Sequence, residues 1–209
     1  MRLYDRVVGT PFVYDHIRPL IVGGVDMARV YERLQVTAAD TVLDMGCGTG
    51  DALRYLTEFA DYRGFDVDAR AITAARRRAA GRAGVSFEAR LVTADDVRGV
   101  APTCAVLAGL LHHLPDEEAV GALRLLMSSP QLCRAVTQDP VIVAGDHVSN
   151  MLIRLDRGRY CRDAVGYRDL AERAGMRVVE DVVIRSSPDH GLENFFVMVL
   201  DPAFAQART

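Results

Sequence analysis

Apolar positions along the chain follow two alternating rhythms. Short apolar runs closed by glycine or charge are separated by stretches in which apolar residues recur every three or four positions. The runs Thr41–Asp44, Tyr62–Asp66, Ser86–Val92, Ala105–Ala108 and Leu132–Thr137 predict strands, and Arg177–Ile184 with Asn194–Leu200 predict a terminal hairpin. Helices are expected over Val25–Leu34, Asp51–Phe59, Asp68–Ala80, Pro115 to about Met127, and Ala164–Ala174. Asp68 is placed to cap its helix and Gly81 to stop it. Strands that alternate with helices specify a mainly parallel sheet with crossover helices. A closing hairpin with no helix inside it makes the sheet mixed, with seven strands and the last one antiparallel. No repeat, linker or low-complexity tract divides the 209 residues, so the expectation is one domain, with residues 1–36 as a helical cap and 40–209 as the core.

The most specific local signal is Val42-Leu43-Asp44-Met45-Gly46-Cys47-Gly48-Thr49-Gly50-Asp51. An apolar strand runs into three glycines at alternate positions, followed directly by a predicted helix. Such a turn lets backbone N–H groups approach a ligand at the helix start. The spacing is G-x-G-x-G rather than the G-x-G-x-x-G of pyrophosphate binders. Asp44, two residues before the first glycine, would repel a pyrophosphate and suits a ligand with an ammonium group. The D-x-G-x-G-x-G pattern after a strand resembles the first motif of the class I S-adenosylmethionine-dependent methyltransferases.

Further residues extend the resemblance across about residues 40–120. Asp66 ends the second strand 22 residues after Asp44, where the family holds the ribose hydroxyls; Val67 follows it. Asp95 matches the third-strand acid that contacts the adenine, with Asp96 beside it. Ala108-Gly109-Leu110-Leu111-His112-His113-Leu114-Pro115-Asp116 resembles the segment after the fourth strand. The resemblance implies a Rossmann-like three-layer sandwich binding S-adenosylmethionine through Asp44, Gly46, Cys47, Gly48, Gly50, Asp66, Val67, Asp95, Asp96 and Gly109. The family's N-terminal segments often close over the cofactor, which makes Tyr14 and Arg18, one helical turn apart, candidates to meet the methyl and carboxylate ends. Two features depart from the pattern: the fourth strand follows Pro102-Thr103-Cys104 rather than an aspartate, and no Asn-Pro-Pro-Tyr-like motif is present. Farther on, Asp139-Pro140 and Leu155–Arg162 resemble a bacterial small-molecule subgroup.

Methyl transfer is an in-line displacement that rests largely on positioning. A base is needed only for a protonated nucleophile, and His112 and His113, both after the fourth strand, are the candidates. His147 after the fifth strand is read as a solvated loop residue, with a place in the cleft as the alternative, and Arg157, Arg159 and Arg162 as a solvated run or a carboxylate-binding group.

Composition narrows the partners. A net charge of −3 gives no general attraction to phosphate backbones, and no apolar run approaches a membrane span. All 25 basic residues are arginine. The four cysteines lack metal-ligand spacing, so no metal is expected. The reading is a cytoplasmic enzyme, monomer or homodimer, with a small-molecule substrate, no nucleic acid and no membrane. Three rivals stand beside it: a fold that keeps the cofactor but catalyses a non-methylating cyclisation, a non-enzymatic partner subunit, and an NAD-dependent oxidoreductase, which the glycine spacing disfavours.

Overall fold

A computed structural model describes residues 25–155, 159–186 and 191–202. Its strands are β1 (Thr41–Met45), β2 (Asp61–Asp66), β3 (Val85–Ala89), β4 (Cys104–Ala108), β5 (Arg134–Ile142), β6 (Arg162–Asp163), β7 (Arg177–Arg185) and β8 (Asn194–Asp201). The helices are α1 (Met27–Tyr31), α2 (Ala69–Arg78), α3 (Ala94–Val100), α4 (Asp116–Leu126), α5 (His147–Leu155) and α6 (Ala164–Arg173).

The sheet runs β3-β2-β1-β4-β5-β8-β7, with the two-residue β6 attached to β5. All pairings from β3 to β5 are parallel, while β8 is antiparallel to both β5 and β7. This is the expected mixed sheet and three-layer sandwich, extended by β6.

Alternation along the strands divides the core between the two faces. Leu43 and Met45 of β1 join Leu107, Ala119, Leu123, Leu126, Tyr167 and Leu170 on one side, under α4 and α6. Val42 joins Val30, Leu34, Tyr62, Ile72, Ala75 and Val106 on the other, under α1 and α2. Asp44 shares the strand parity of Val42, so this acid enters an apolar layer.

Several boundaries differ from the sequence reading. The stretch after the glycine turn is a short 3-10 turn, Asp51–Arg54, instead of a helix reaching Phe59. β3 stops at Ala89, and the polypeptide then enters α3, whose Thr93–Asp96 capping box the apolar pattern did not reveal. β5 starts and ends later than Leu132–Thr137 and includes Asp139 and Pro140. Proline in a central strand normally costs a ladder hydrogen bond. Here β4 ends opposite Gln138, which leaves that flank of residues 139 and 140 without a β4 partner. Cys133, read as part of this strand, is an exposed residue before it. Residues 147–155 are a helix whose first turn is capped by Asp146 through the Ser149 N–H. No helix among the described residues is long and apolar enough to cross a membrane.

Candidate functional site

Strand order turns around between β1 and β4, because β1 leads outward to β2 and β3 while β4 leads to β5 and beyond. Open α/β sheets bind ligands at the carboxyl ends of the strands flanking such a switch point. The glycine turn, the end of β2 and the 109–113 segment all emerge there.

The three glycines do different work. A Cβ on Gly46 would meet Leu110 Cδ1 at 3.1 Å, and one on Gly50 would meet Phe87 Cζ at 3.0 Å and Ala75 Cβ at 3.2 Å. Those two positions are small for packing. Gly48 has φ +51°, and a Cβ there would stand in open space with nothing within 4 Å. A left-handed backbone facing open space is a cradle that a side chain would fill. The residues therefore fit a ligand laid against the turn.

Asp66 ties the turn together. Its Oδ2 accepts from the Gly48 N–H at 2.9 Å, and its Oδ1 accepts from the Asp68 N–H at 2.8 Å. The Gly46 and Cys47 N–H groups donate to the Phe65 carbonyl at 2.8 and 3.1 Å. An ionised carboxylate has about four lone-pair sites, so Asp66 keeps capacity for two further donors. Cys47 is buried, and a Cβ on Gly64 would come within 2.8 Å of its Sγ. Burial pushes its thiol well above the ordinary range, so what Cys47 offers at the turn is backbone.

Asp44 is 3% exposed, and one carboxyl oxygen accepts from the Tyr62 hydroxyl. Burial pushes its pKa up to about 7, against the lowering effect of the Tyr62 hydrogen bond and with a further push from the Asp66 charge. A carboxyl raised in the folded state from an ordinary 3.8 makes the fold bind more protons than the unfolded chain between pH 4 and 7. Its contribution is fully present below pH 4 and is lost as the pH rises through 7. Asp44→Asn, which mimics the protonated group, is therefore expected to gain relative to wild type across that window, by a few kcal/mol at most. Chemical denaturation of both proteins at pH 5 and pH 8 measures it; an unchanged difference would show that Asp44 ionises normally.

Asp95 and Asp96 separate by environment. Asp96 accepts from Thr93 and is held by Arg90 through Nη1 and Nη2 at 2.6 and 2.7 Å, which keeps its carboxyl below the usual range. Asp96 thus serves the structure of α3. Asp95 is 91% exposed at its side chain, with Arg98 its ion-pair partner at 2.5 Å. Val67 is 67% exposed beside Asp66, an apolar surface next to the cradle.

After β4, Gly109 has φ +70° and donates its N–H to the Gln138 carbonyl at 2.6 Å. The chain then makes a 3-10 turn, Leu111–His113. His112 is buried, and both its backbone N–H and its Nδ1 lie on Asp139 Oδ1, at 3.1 and 2.7 Å. Burial pushes the Asp139 carboxyl up, against the lowering influence of His112. His113 is exposed, with its ring centroid 3.9 Å from that of His112. The two histidines therefore occupy distinct environments.

Other candidates lie elsewhere. Arg162 is engaged by Asp116 and by the carbonyls of Leu111, Tyr160 and Leu114; it braces the 111–116 segment. Arg159 is exposed. His147 begins α5 rather than lying in a loop. Tyr14, Arg18 and Arg157 lie outside the described residues. Sequence reasoning missed Asp139, although a single acid inside the apolar stretch Ala135–Val143 was a signal, because a buried carboxyl demands a partner.

Comparison with known proteins agrees with this geometry. Residues 42–129 match a family model described as a methyltransferase domain. No curated protein matches the sequence. Among solved structures, the chain is similar to a SAM-dependent methyltransferase from Leishmania major, at 16% identity and a TM-score of 0.63, over 95% of this chain and 80% of the other. It is also similar to the cyclopropane synthase MmaA2 from Mycobacterium tuberculosis, at 9% identity and TM-score 0.63, over 84% and 82%. The [4+2]-cyclase SpnF matches at 16% identity and TM-score 0.63, over 83% and 78%. The fold is thus that of the class I S-adenosylmethionine-dependent methyltransferases, and residues 42–129 are similar to a methyltransferase domain.

Proposed function

We propose that this protein transfers a methyl group from S-adenosylmethionine to a small cytoplasmic metabolite. The observation that carries the reading is the open cradle at Gly48, closed from below by Asp66 and flanked by Asp44. In this reading Asp66 holds the ribose, Asp44 faces the ammonium end, and Asp95 with Val67 lies along the adenine. Gly48 and Gly109 keep the backbone low where the ligand passes. When bound, the cofactor supplies a methyl group made electrophilic by its sulfonium. The chain's own part is to hold acceptor and methyl in line, keep water out and remove a proton where the acceptor carries one. A small acceptor is favoured by the weak net negative charge, which gives a nucleic acid no electrostatic footprint.

The likeness to a [4+2]-cyclase keeps in view the alternative that the pocket is retained for a reaction without methyl transfer. Calorimetric titration with S-adenosylhomocysteine, with NAD as control, tests the cofactor assignment. Wild type is expected to bind S-adenosylhomocysteine and not NAD. Gly48→Ala is expected to bind at least tenfold more weakly. Its side chain enters open space, so the fold pays only the left-handed backbone strain of about 1–2 kcal/mol. A folded wild-type protein that binds neither compound would sink the cofactor reading.

A further inference from the structure

Among the described residues, His112 Nε2 and Asp139 Oδ2 are buried polar atoms without a hydrogen-bond partner. A buried polar atom left without a partner destabilises the fold that holds it. The two side chains are 4% and 2% exposed, so bulk water does not supply the missing partners. Resting on the methyl-transfer reading above, we propose that Asp139 is a positioning residue that fixes His112 with its proton on Nδ1, so that the bare Nε2 takes the proton of a hydroxyl-bearing acceptor.

The ring lies against the segment that leaves β4. A Cβ on Gly109 would stand 3.8 Å from His112 Cε1, the carbon between the two ring nitrogens. The neighbouring Leu110 lies against Gly46, so the turn that carries His112 borders the glycine cradle across the β1/β4 switch point. Asp139 Oδ1 accepts from the His112 backbone N–H, and His112 Nδ1 lies 2.7 Å from the same oxygen. In this reading Nδ1 donates, and two bonds to one oxygen fix the ring's rotation as well as its proton. The surrounding groups are otherwise engaged: Tyr160 N–H donates to the His112 carbonyl, Arg162 to the Leu111 carbonyl and Asp116, and the Tyr167 hydroxyl to the Pro140 carbonyl. His113 contributes a ring contact.

The acceptor class follows from what such a base is needed for. A thioether or a neutral amine presents its lone pair without losing a proton first. A hydroxyl is a weak nucleophile until its proton is removed. As the acceptor oxygen bonds to the methyl carbon, that carbon's bond to the sulfonium sulfur would break with its electron pair left on sulfur, releasing a neutral thioether, while the O–H bond breaks, its pair stays on oxygen and the proton bonds to Nε2. The resulting imidazolium then faces the Asp139 carboxylate, whose buried charge it balances. The proton leaves later to solvent, restoring the starting state.

Imidazole nitrogen NMR of the full chain at pH 8 tests the arrangement without an identified acceptor. In wild type, His112 is expected to carry its proton on Nδ1 alone. Asp139→Ala, with the acceptor oxygen gone, is expected to move it to Nε2. Asp139→Asn, whose carbonyl can still accept, is expected to restore the Nδ1 form. A proton on Nε2 in wild type, whether the ring is neutral or charged, overturns the proposal, as does a tautomer indifferent to Asp139→Ala. In the S-adenosylhomocysteine complex, phenol is expected to shift the Nε2 resonance and its methyl ether, anisole, to leave it unmoved. An Nε2 resonance indifferent to phenol overturns the hydroxyl assignment. Failure of wild type to bind S-adenosylhomocysteine would instead strike the cofactor reading and leave the tautomer result standing.

Discussion

Asp66→Ala is expected to weaken S-adenosylhomocysteine binding by about 10²–10⁴-fold while leaving the protein folded. Two hydrogen bonds from ribose hydroxyls to a carboxylate are worth roughly 1.5–3 kcal/mol each, and 1.4 kcal/mol is a factor of ten in affinity. The substitution also strips the Gly48 and Asp68 N–H groups of their acceptor, which loosens the turn the ligand lies on. Because Asp66 is only half-buried, its removal opens no sealed cavity and the cost to the fold is small. Calorimetry with a second ligand, methylthioadenosine, localises the effect. It has the ribose and adenine but no amino-acid end, so Asp66→Ala should weaken it by the same factor, whereas Asp44→Asn should leave it unaffected. An Asp66→Ala protein that binds both ligands as tightly as wild type would place the ribose elsewhere.

The sequence made the sheet and the cradle legible because both are written locally. β1 and the glycine turn are contiguous from Thr41 to Gly50, and an apolar run followed by alternate glycines has few other uses. Asp66 was equally accessible, since a strand-end acid at that separation has a geometric reason to exist. What escaped was set by contacts between distant segments. The division of labour between Asp95 and Asp96 depends on Arg90 reaching Asp96 from the preceding strand's end. Arg162 looked like part of a recognition run, yet it is spent on carbonyls about fifty residues earlier in the chain. Helix α5 was missed because Asp146 caps it from a segment rich in turn formers, although Val148, Met151, Leu152 and Leu155 have helical spacing.

Asp139 is the instructive case. Its neighbour Pro140 argues for a strand end, and the sequence reading placed both residues after the fifth strand. The strand continues because β4 stops opposite Gln138 while β8 goes on pairing to Pro140. That extra length carries Asp139 beneath the turn after β4 and gives His112 a partner 27 residues away. The histidine was legible as a candidate; the environment that separates it from His113 was not.

That environment dictates the substitution that isolates the chemistry of His112. Removing the ring altogether would leave Asp139 buried without the ring donor that it faces, which costs about 1–3 kcal/mol and confuses a lost base with a lost fold. His112→Asn avoids this. The asparagine amide nitrogen can take the place of Nδ1 and go on donating to Asp139 Oδ1, while nothing remains where Nε2 was. With a hydroxyl acceptor, turnover is expected to fall by about 10²–10⁴-fold, the usual share of a positioned general base. S-adenosylhomocysteine affinity is expected to stay within about twofold, because the cradle at Gly48 and Asp66 does not involve this side chain. His113→Asn is the matched control: the residue is exposed, and its rate should remain near wild type. The pH dependence of residual turnover separates the cases further, since a reaction without its base should rise with hydroxide as the acceptor ionises on its own. A His112→Asn protein that turned over at the wild-type rate would reduce His112 to a structural partner of Asp139 and leave positioning alone to account for catalysis.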